Sequence, residues 1–257
     1  MDDHPTHQPQ EALRAPFLIR YLQETANLYS SLVLIVPIFF FYQAGVVYQL
    51  LTSGSFSING ADYFTHYLLQ LCDGSLFAYI VVVLLGSVAL GWFLSRLGRG
   101  HRVDLGLCLP LVFECAVYAL LFATTIHLIQ SFPRLLATPL TLSGSGTVWE
   151  KAFQAFGAGF NEELIFRLGI LGSLVVVGRM VSAPKLPTLI FAFLVSSLTF
   201  SVFHHLGPYS EPFIFDSFMY RTLAGILLAT LYWSRGLAVA VYTHALYDLY
   251  FFLILNS

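Results

Sequence analysis

The 257-residue chain is 57% hydrophobic and only 10% charged, with a formal net charge of −2 and a mean hydropathy of +0.76. Soluble domains carry about 25% charged residues, so this composition excludes an ordinary soluble globular protein. The nearly balanced charge offers no basic surface for a nucleic-acid partner.

At about 20 apolar residues per helical span, the expected fold is all-α: a polytopic membrane bundle of about seven transmembrane helices. Residues 1–27 read as a polar N-terminal segment at the cytoplasmic surface. With Asp2, Asp3 and Glu11 ahead of any apolar run, they do not resemble a cleaved signal peptide. A first span is expected over residues 28–50, with Tyr29, Tyr42 and Tyr48 as interfacial anchors and Pro37 as a kink site. Residues 52–74 carry Gly-rich turn signals around one short amphipathic piece, 62–71. A second span covers 75–94, a basic loop holds Arg96, Arg99, His101 and Arg102, and a third span covers 105–129 with Glu114 and His127 inside it. A Pro/Gly/Ser-rich loop follows. Spans four to seven are expected at 152–177, 186–204, 213–233 and 237–255.

Arg14, Arg20, Arg96, Arg99, Arg102, Arg179, Lys185 and Arg235 fall on one side of this map, against Arg134 and Lys151 on the other. The positive-inside rule then places the N-terminus in the cytoplasm and the C-terminus outside. Cys72, Cys108 and Cys115 lack paired spacing, so neither a disulfide framework nor a cysteine-bound metal is indicated.

The fourth span contains Asn161-Glu162-Glu163-Leu164-Ile165-Phe166-Arg167. One charge at the centre of a membrane helix costs about 2.5–3.5 kcal/mol even on the lenient insertion scale. These residues therefore either pair to hold the bundle or do chemistry. Glu163 and Arg167 stand four apart in the favoured acid-before-base order. Glu162 is rotated by about 100°, onto a stripe with Gly159, Gly169 and Ser173 that lets another helix approach. It has no base on its own helix. The fifth span ends at His204, and the seventh holds Ala240, His244 and Asp248 on one face, flanked by Thr243 and Tyr247. Glu162, His204, His244 and Asp248 could activate a water and stabilise an oxyanion, or form a two-histidine, carboxylate zinc site. Arg221 could meet Asp216, another carboxylate, or a substrate.

Three motifs on three helices resemble those of the CPBP intramembrane proteases, which include the CAAX prenyl endopeptidases and bacteriocin-processing, Abi-like proteins. They are Glu162-Glu163-x-x-x-Arg167, Phe200-x-x-x-His204 and His244-x-x-x-Asp248. The resemblance extends over about residues 150–250. It implies a division into N-terminal transmembrane helices, 28–148, and a catalytic core, 149–257. It also implies an intramembrane endopeptidase acting on a membrane-anchored protein or peptide, with Glu162 as general base and His204 polarising the water. His244 and Asp248 would hold the oxyanion or the geometry, and Glu163, Arg167 and Phe200 would support. The family is often catalogued as metalloproteases, a metal-free glutamate mechanism being the competing account. In this chain Arg167 is followed by Leu168 before Gly169, and Asp248 replaces the commoner Asn. An ionised carboxylate repels an oxyanion, so Asp248 must be protonated, orient His244 or bind metal.

A rise of about 1.5 Å per residue puts Glu162 and His204 roughly 6–17 Å deeper than the His244/Asp248 pair. The seventh helix is therefore expected to begin earlier than hydropathy suggests, near Trp233, with the site at or outside the midplane. Other readings of the same residues are a proton- or ion-coupled transporter and a catalytically idle scaffold or immunity protein. The short, loop-poor chain points to a prokaryotic inner membrane.

Overall fold

The computed structural model describes residues 16–54, 63–98, 101, 103–130, 147–206 and 212–255. Among these the regular structure is entirely helical. Five helical stretches are long and apolar enough to cross a membrane: Leu28–Ser53, Leu76–Leu97, Leu105–Ile126, Lys185–Phe203 and Leu237–Ile254. The fourth and sixth expected spans are also helical, over 148–180 and Phe215–Arg235. Their polar and charged side chains keep them out of that set. The polar loop expected between the third and fourth spans lies largely outside the described residues.

Local chemistry sets the helix ends. α1 (Phe17–Ala26) is followed by α2 (Leu28–Leu34), whose cap Asn27 accepts a hydrogen bond from Ser30 N at 3.2 Å. α3 (Val36–Ser53) restarts after Ile35 with Pro37 in its first turn. Proline has no N–H to donate and fits best there. The expected kink is thus a break between two helices. α4 (Tyr63–Leu71) lies within the expected amphipathic piece, and Ser75 caps α5 (Leu76–Leu97) by accepting from Ala78 N at 3.3 Å.

α6 (Cys108–Gln130) follows a single 3₁₀ turn, Leu105–Leu107. α7 (Val148–Glu162) opens with a reciprocal cap: Glu150 N donates to Thr147 Oγ1 at 3.3 Å, and Thr147 N donates to the Glu150 carboxylate at 2.6 Å. The chain then widens into a π-helical segment, Glu163–Gly172, before α8 (Ser173–Met180). α9 (Lys185–Phe203), α10 (Phe215–Arg235) and α11 (Leu237–Tyr250) complete the core, and a last π turn covers Phe251–Leu255.

α11 is the central post. Leu237–Val241 are all 0–1% exposed, and the helix packs on α7, α6, α10, α2 and the π segment. Small side chains at Ala238 and Ala240 allow this, and Gly159 on α7 goes further. A Cβ at Gly159 would lie 2.7 Å from Ala245 N and 2.8 Å from Val241 O. Only glycine admits so close a backbone crossing.

α11 does not begin near Trp233. α10 runs through Arg235, and Gly236 breaks the helix at φ +99°. A Cβ there would sit 2.2 Å from Thr25 O. The earlier start inferred from depth assumed straight helices along one normal, and the side-chain distances given below show that this assumption fails.

One end of the bundle gathers the basic loops. Arg20 meets Asp104 at 3.5 Å and His101 meets Glu24 at 3.0 Å. Arg235 donates to both Glu114 oxygens at 2.8 and 2.9 Å and to Thr25 Oγ1 at 3.2 Å. Tyr21 also donates to Glu114, so the third-span acid anchors α1 beneath the core. The side chain of His127 is not among those described.

Candidate active site

The site forms where the end of α7, the π segment, the end of α9 and the middle of α11 meet. Glu162 is the last residue of α7 and is 3% exposed. Glu163 opens the π segment and is 0% exposed. Two neighbouring residues on a regular α-helix diverge by about 100°. Here the wider i→i+5 geometry begins between them, and both side chains are buried. π segments of this kind occur frequently at functional sites. Ser196 Oγ donates to the Phe166 carbonyl at 2.7 Å, giving the widened backbone a partner from α9.

The expected small-residue stripe is only half present. Gly159 faces α11, but Gly169 and Ser173 are exposed. They lie in or beyond the π segment, where α-helical spacing no longer predicts the face.

Glu162 directs one carboxylate oxygen at each of two imidazoles. Oε1 is 3.7 Å from His204 Nε2, and Oε2 is 3.8 Å from His244 Nε2. Both separations exceed a direct hydrogen bond. His204 caps α9, and its Nδ1 lies 2.9 Å from the Phe200 carbonyl. A carbonyl can only accept, so Nδ1 carries the hydrogen and a neutral imidazole presents Nε2 as an acceptor. An ionised Glu162 and a neutral His204 face each other as two acceptors.

His244 is held from both sides. Its Nδ1 lies 2.8 Å from Glu163 Oε1, and its Nε2 lies 3.5 Å from Asp248 Oδ2 one turn along α11. Glu163 Oε2 is also 3.1 Å from Arg167 Nε, at an angle short of hydrogen-bond alignment. Arg167 is 0% exposed, donates through Nη2 to the Gly225 carbonyl at 3.2 Å, and lies 4.6 Å from the Phe200 ring centroid. Phe200 packs edge-on against Phe166 and His204, with centroids 5.4 and 5.0 Å apart.

All seven site residues expected from sequence thus come together in one cluster. The contact between Glu163 and His244 was not anticipated, because same-helix spacing paired Glu163 with Arg167 alone. The Gly225 carbonyl and Ser196 were missed as partners too. Gly225 falls inside the stretch of the family resemblance, and Ser196 offers only a small side chain in a membrane helix, which also fits plain packing. Arg221 is 4% exposed on α10 and donates to Ser217 Oγ at 2.8 Å. Tyr247 shares a short hydroxyl contact with Tyr220.

Residues 144–250 match the model of the family described as type II CAAX prenyl endopeptidase, Rce1-like. This part of the chain is an Rce1-like domain of the CPBP family. No curated protein and no solved structure matches the chain. The Rce1-like domain contains every residue of the cluster, and α1 to α6 lie outside it.

The cluster also bears on metal binding. Among the described residues no three His, Cys, Asp or Glu side chains converge as a metal-holding group. Glu162 divides its two oxygens between the histidines. The cluster has its accessible edge at His204 and Asp248, whose side chains are 20% and 18% exposed against 5% for Glu162.

Proposed function

We propose that this protein is an intramembrane endopeptidase that hydrolyses a peptide bond of a membrane-anchored protein or peptide, using a water activated by Glu162 and His204. The observation that carries the reading is the pair of facing acceptors, Glu162 Oε1 and His204 Nε2, 3.7 Å apart. A carboxylate and an unprotonated imidazole nitrogen repel each other unless a donor stands between them. Water supplies two O–H bonds, one for each acceptor.

In the proposed reaction the water oxygen attacks the scissile carbonyl carbon while its proton passes to Glu162. The carbonyl π bond opens to an oxyanion, which accepts a hydrogen bond from His244 Nε2–H. The tetrahedral intermediate then collapses, the C–N bond breaks, and Glu162 returns its proton to the leaving amine. Glu163 and Asp248 fix the His244 ring. In this role Asp248 orients the imidazole from 3.5 Å along the same helix, which accounts for an acid where the family commonly has an amide. Arg167 and Phe200 hold Glu163 and His204 in place.

The test is a cleavage assay on full-length protein in liposomes. The substrates are prenylated C-a-a-X peptides and unmodified membrane-anchored peptides, with products read by mass spectrometry. Glu162→Gln is nearly isosteric and should abolish cleavage, a loss of at least about 10²–10⁴-fold for a general base. Activity retained in that variant overturns the assignment. The same preparation is analysed for zinc. Activity that survives chelation assigns the water to Glu162 and His204 alone, whereas stoichiometric zinc lost together with activity assigns it to a metal held by the same side chains.

A further inference from the structure

A second concave site lies at the opposite end of α9 from the catalytic cluster. It is a cavity of about 520 Å³ between α8, the 181–184 turn, the start of α9 and the end of α10. Arg179 and Lys185 stand at it, Val175, Leu186 and Leu189 wall it, and Trp233 closes one side. Lys185 and His204 are 19 positions apart, or roughly 28 Å along a helix, so this cavity is separate from the hydrolytic site.

We propose that this cavity binds an anionic phospholipid of the cytoplasmic leaflet, its phosphate between Arg179 and Lys185 and an acyl chain along Leu186, Leu189 and Trp233. Three observations fit this occupant.

The first is level in the membrane. The span Lys185–Phe203 begins at Lys185, so the cations stand at headgroup height and the apolar wall descends toward hydrocarbon. Trp233 sits two residues before Arg235, which joins the basic end of the bundle through Glu114. By the positive-inside rule that end is cytoplasmic, and Trp is enriched at this interface.

The second is charge. Among the described residues neither Arg179 nor Lys185 has a carboxylate partner, and both are exposed. Basic pockets between helices on the cytoplasmic side are suited to anionic headgroups.

The third is preformation. Ala183 N donates to Gly178 O at 2.9 Å and Ser182 N to Arg179 O at 3.1 Å, which ties the turn between the two cations. Trp233 is braced edge-on against Phe193 at 6.4 Å between centroids. A ligand with only a charged head would leave the apolar wall unused, and one with only a tail would leave the cations unused.

Native mass spectrometry of the full-length protein, released from bilayers of phosphatidylcholine with or without phosphatidylglycerol, tests the proposal. Wild type should retain phosphatidylglycerol in preference to phosphatidylcholine. Arg179→Ala with Lys185→Ala should cut that adduct at least about fivefold, and Arg96→Ala, a basic residue at the end of α5, should leave it unchanged. Leu189→Trp fills the cavity while keeping both charges and should cut the adduct equally. An adduct unchanged in both cavity variants, or reduced as much by Arg96→Ala, overturns the site. Displacement of the adduct by millimolar inorganic phosphate overturns the lipid as its ligand and leaves a simple anion site. Proteolysis is not a readout, so this result is independent of the catalytic assignment.

Discussion

Adjacent acids in one membrane helix have different work because they have different partners. Glu163 touches His244 and Arg167, both buried, whereas Glu162 faces two imidazole nitrogens at distances that admit a water. Removing Glu163 leaves the wholly buried Arg167 guanidinium without its acid. Breaking such a pair costs on the order of 3–5 kcal/mol. Glu163→Ala should therefore lower the thermal unfolding temperature markedly, while Glu162→Gln leaves it near wild type and removes activity. Thermal unfolding of both variants in one detergent, beside the cleavage assay, separates brace from base. Equal destabilisation by the two would contradict this division. Arg167→Lys should behave like a partial Glu163 loss, because an ammonium cannot span Glu163 and the Gly225 carbonyl as the guanidinium does.

At the scale of elements, the site depends on how closely α7 approaches α11. Glu162 is carried by the first helix and His244 by the second, and Gly159 sets their separation three residues before Glu162. Gly159→Ala would press a methyl against Ala245 N and Cβ and Val241 O, at 2.7–2.8 Å. Overpacking of this kind costs about 1–3 kcal/mol, and displacement of about 1 Å can lower catalysis about 10²-fold. Steady-state kinetics should show a fall in kcat with KM little changed, since the variant disturbs the chemistry and not the accessible edge at His204 and Asp248. The π segment is the element that α-helical reasoning could not supply. Its sequence, Glu163–Gly172, has the apolar pattern of an ordinary span, and the widening is settled by partners on α9, α10 and α11.

For the molecule as a whole, α1 and the Rce1-like domain are joined through Glu114, which receives Tyr21 and Arg235. Burial and donation to Glu114 hold the Tyr21 phenol well above its ordinary value. A group raised in the folded state stabilises the fold fully below its unfolded pKa, about 10 for tyrosine, and loses that contribution as pH rises toward the folded value. Stability should therefore decline above about pH 10, and Tyr21→Phe should flatten the decline. Thermal unfolding across that range checks the slope. Arg235→Gln should release α1, seen as faster amide hydrogen exchange over Phe17–Ala26 with the cluster around Glu162 still protected.

Much of this protein is legible in its sequence because the membrane is a demanding solvent. Long apolar runs must be helices, and charged or ionisable residues such as Glu162, His204 and Asp248 stand out because their burial needs a reason. The same pressure revealed the basic loops, and Pro37 marked a distortion in the first span that the structure makes a break at Ile35. Only the tertiary structure decided which partners each residue takes. It brought Glu163 to His244, widened the local helix into a π segment, and set Arg179 and Lys185 around a cavity far from the chemistry. These outcomes depend on contacts between helices distant in sequence and on backbone approaches at Gly159 and Gly236 too close for a side chain, neither of which periodicity along one helix encodes. The stretch Asn161–Arg167 could be recognised from sequence alone, but the separate roles of its two acids could not.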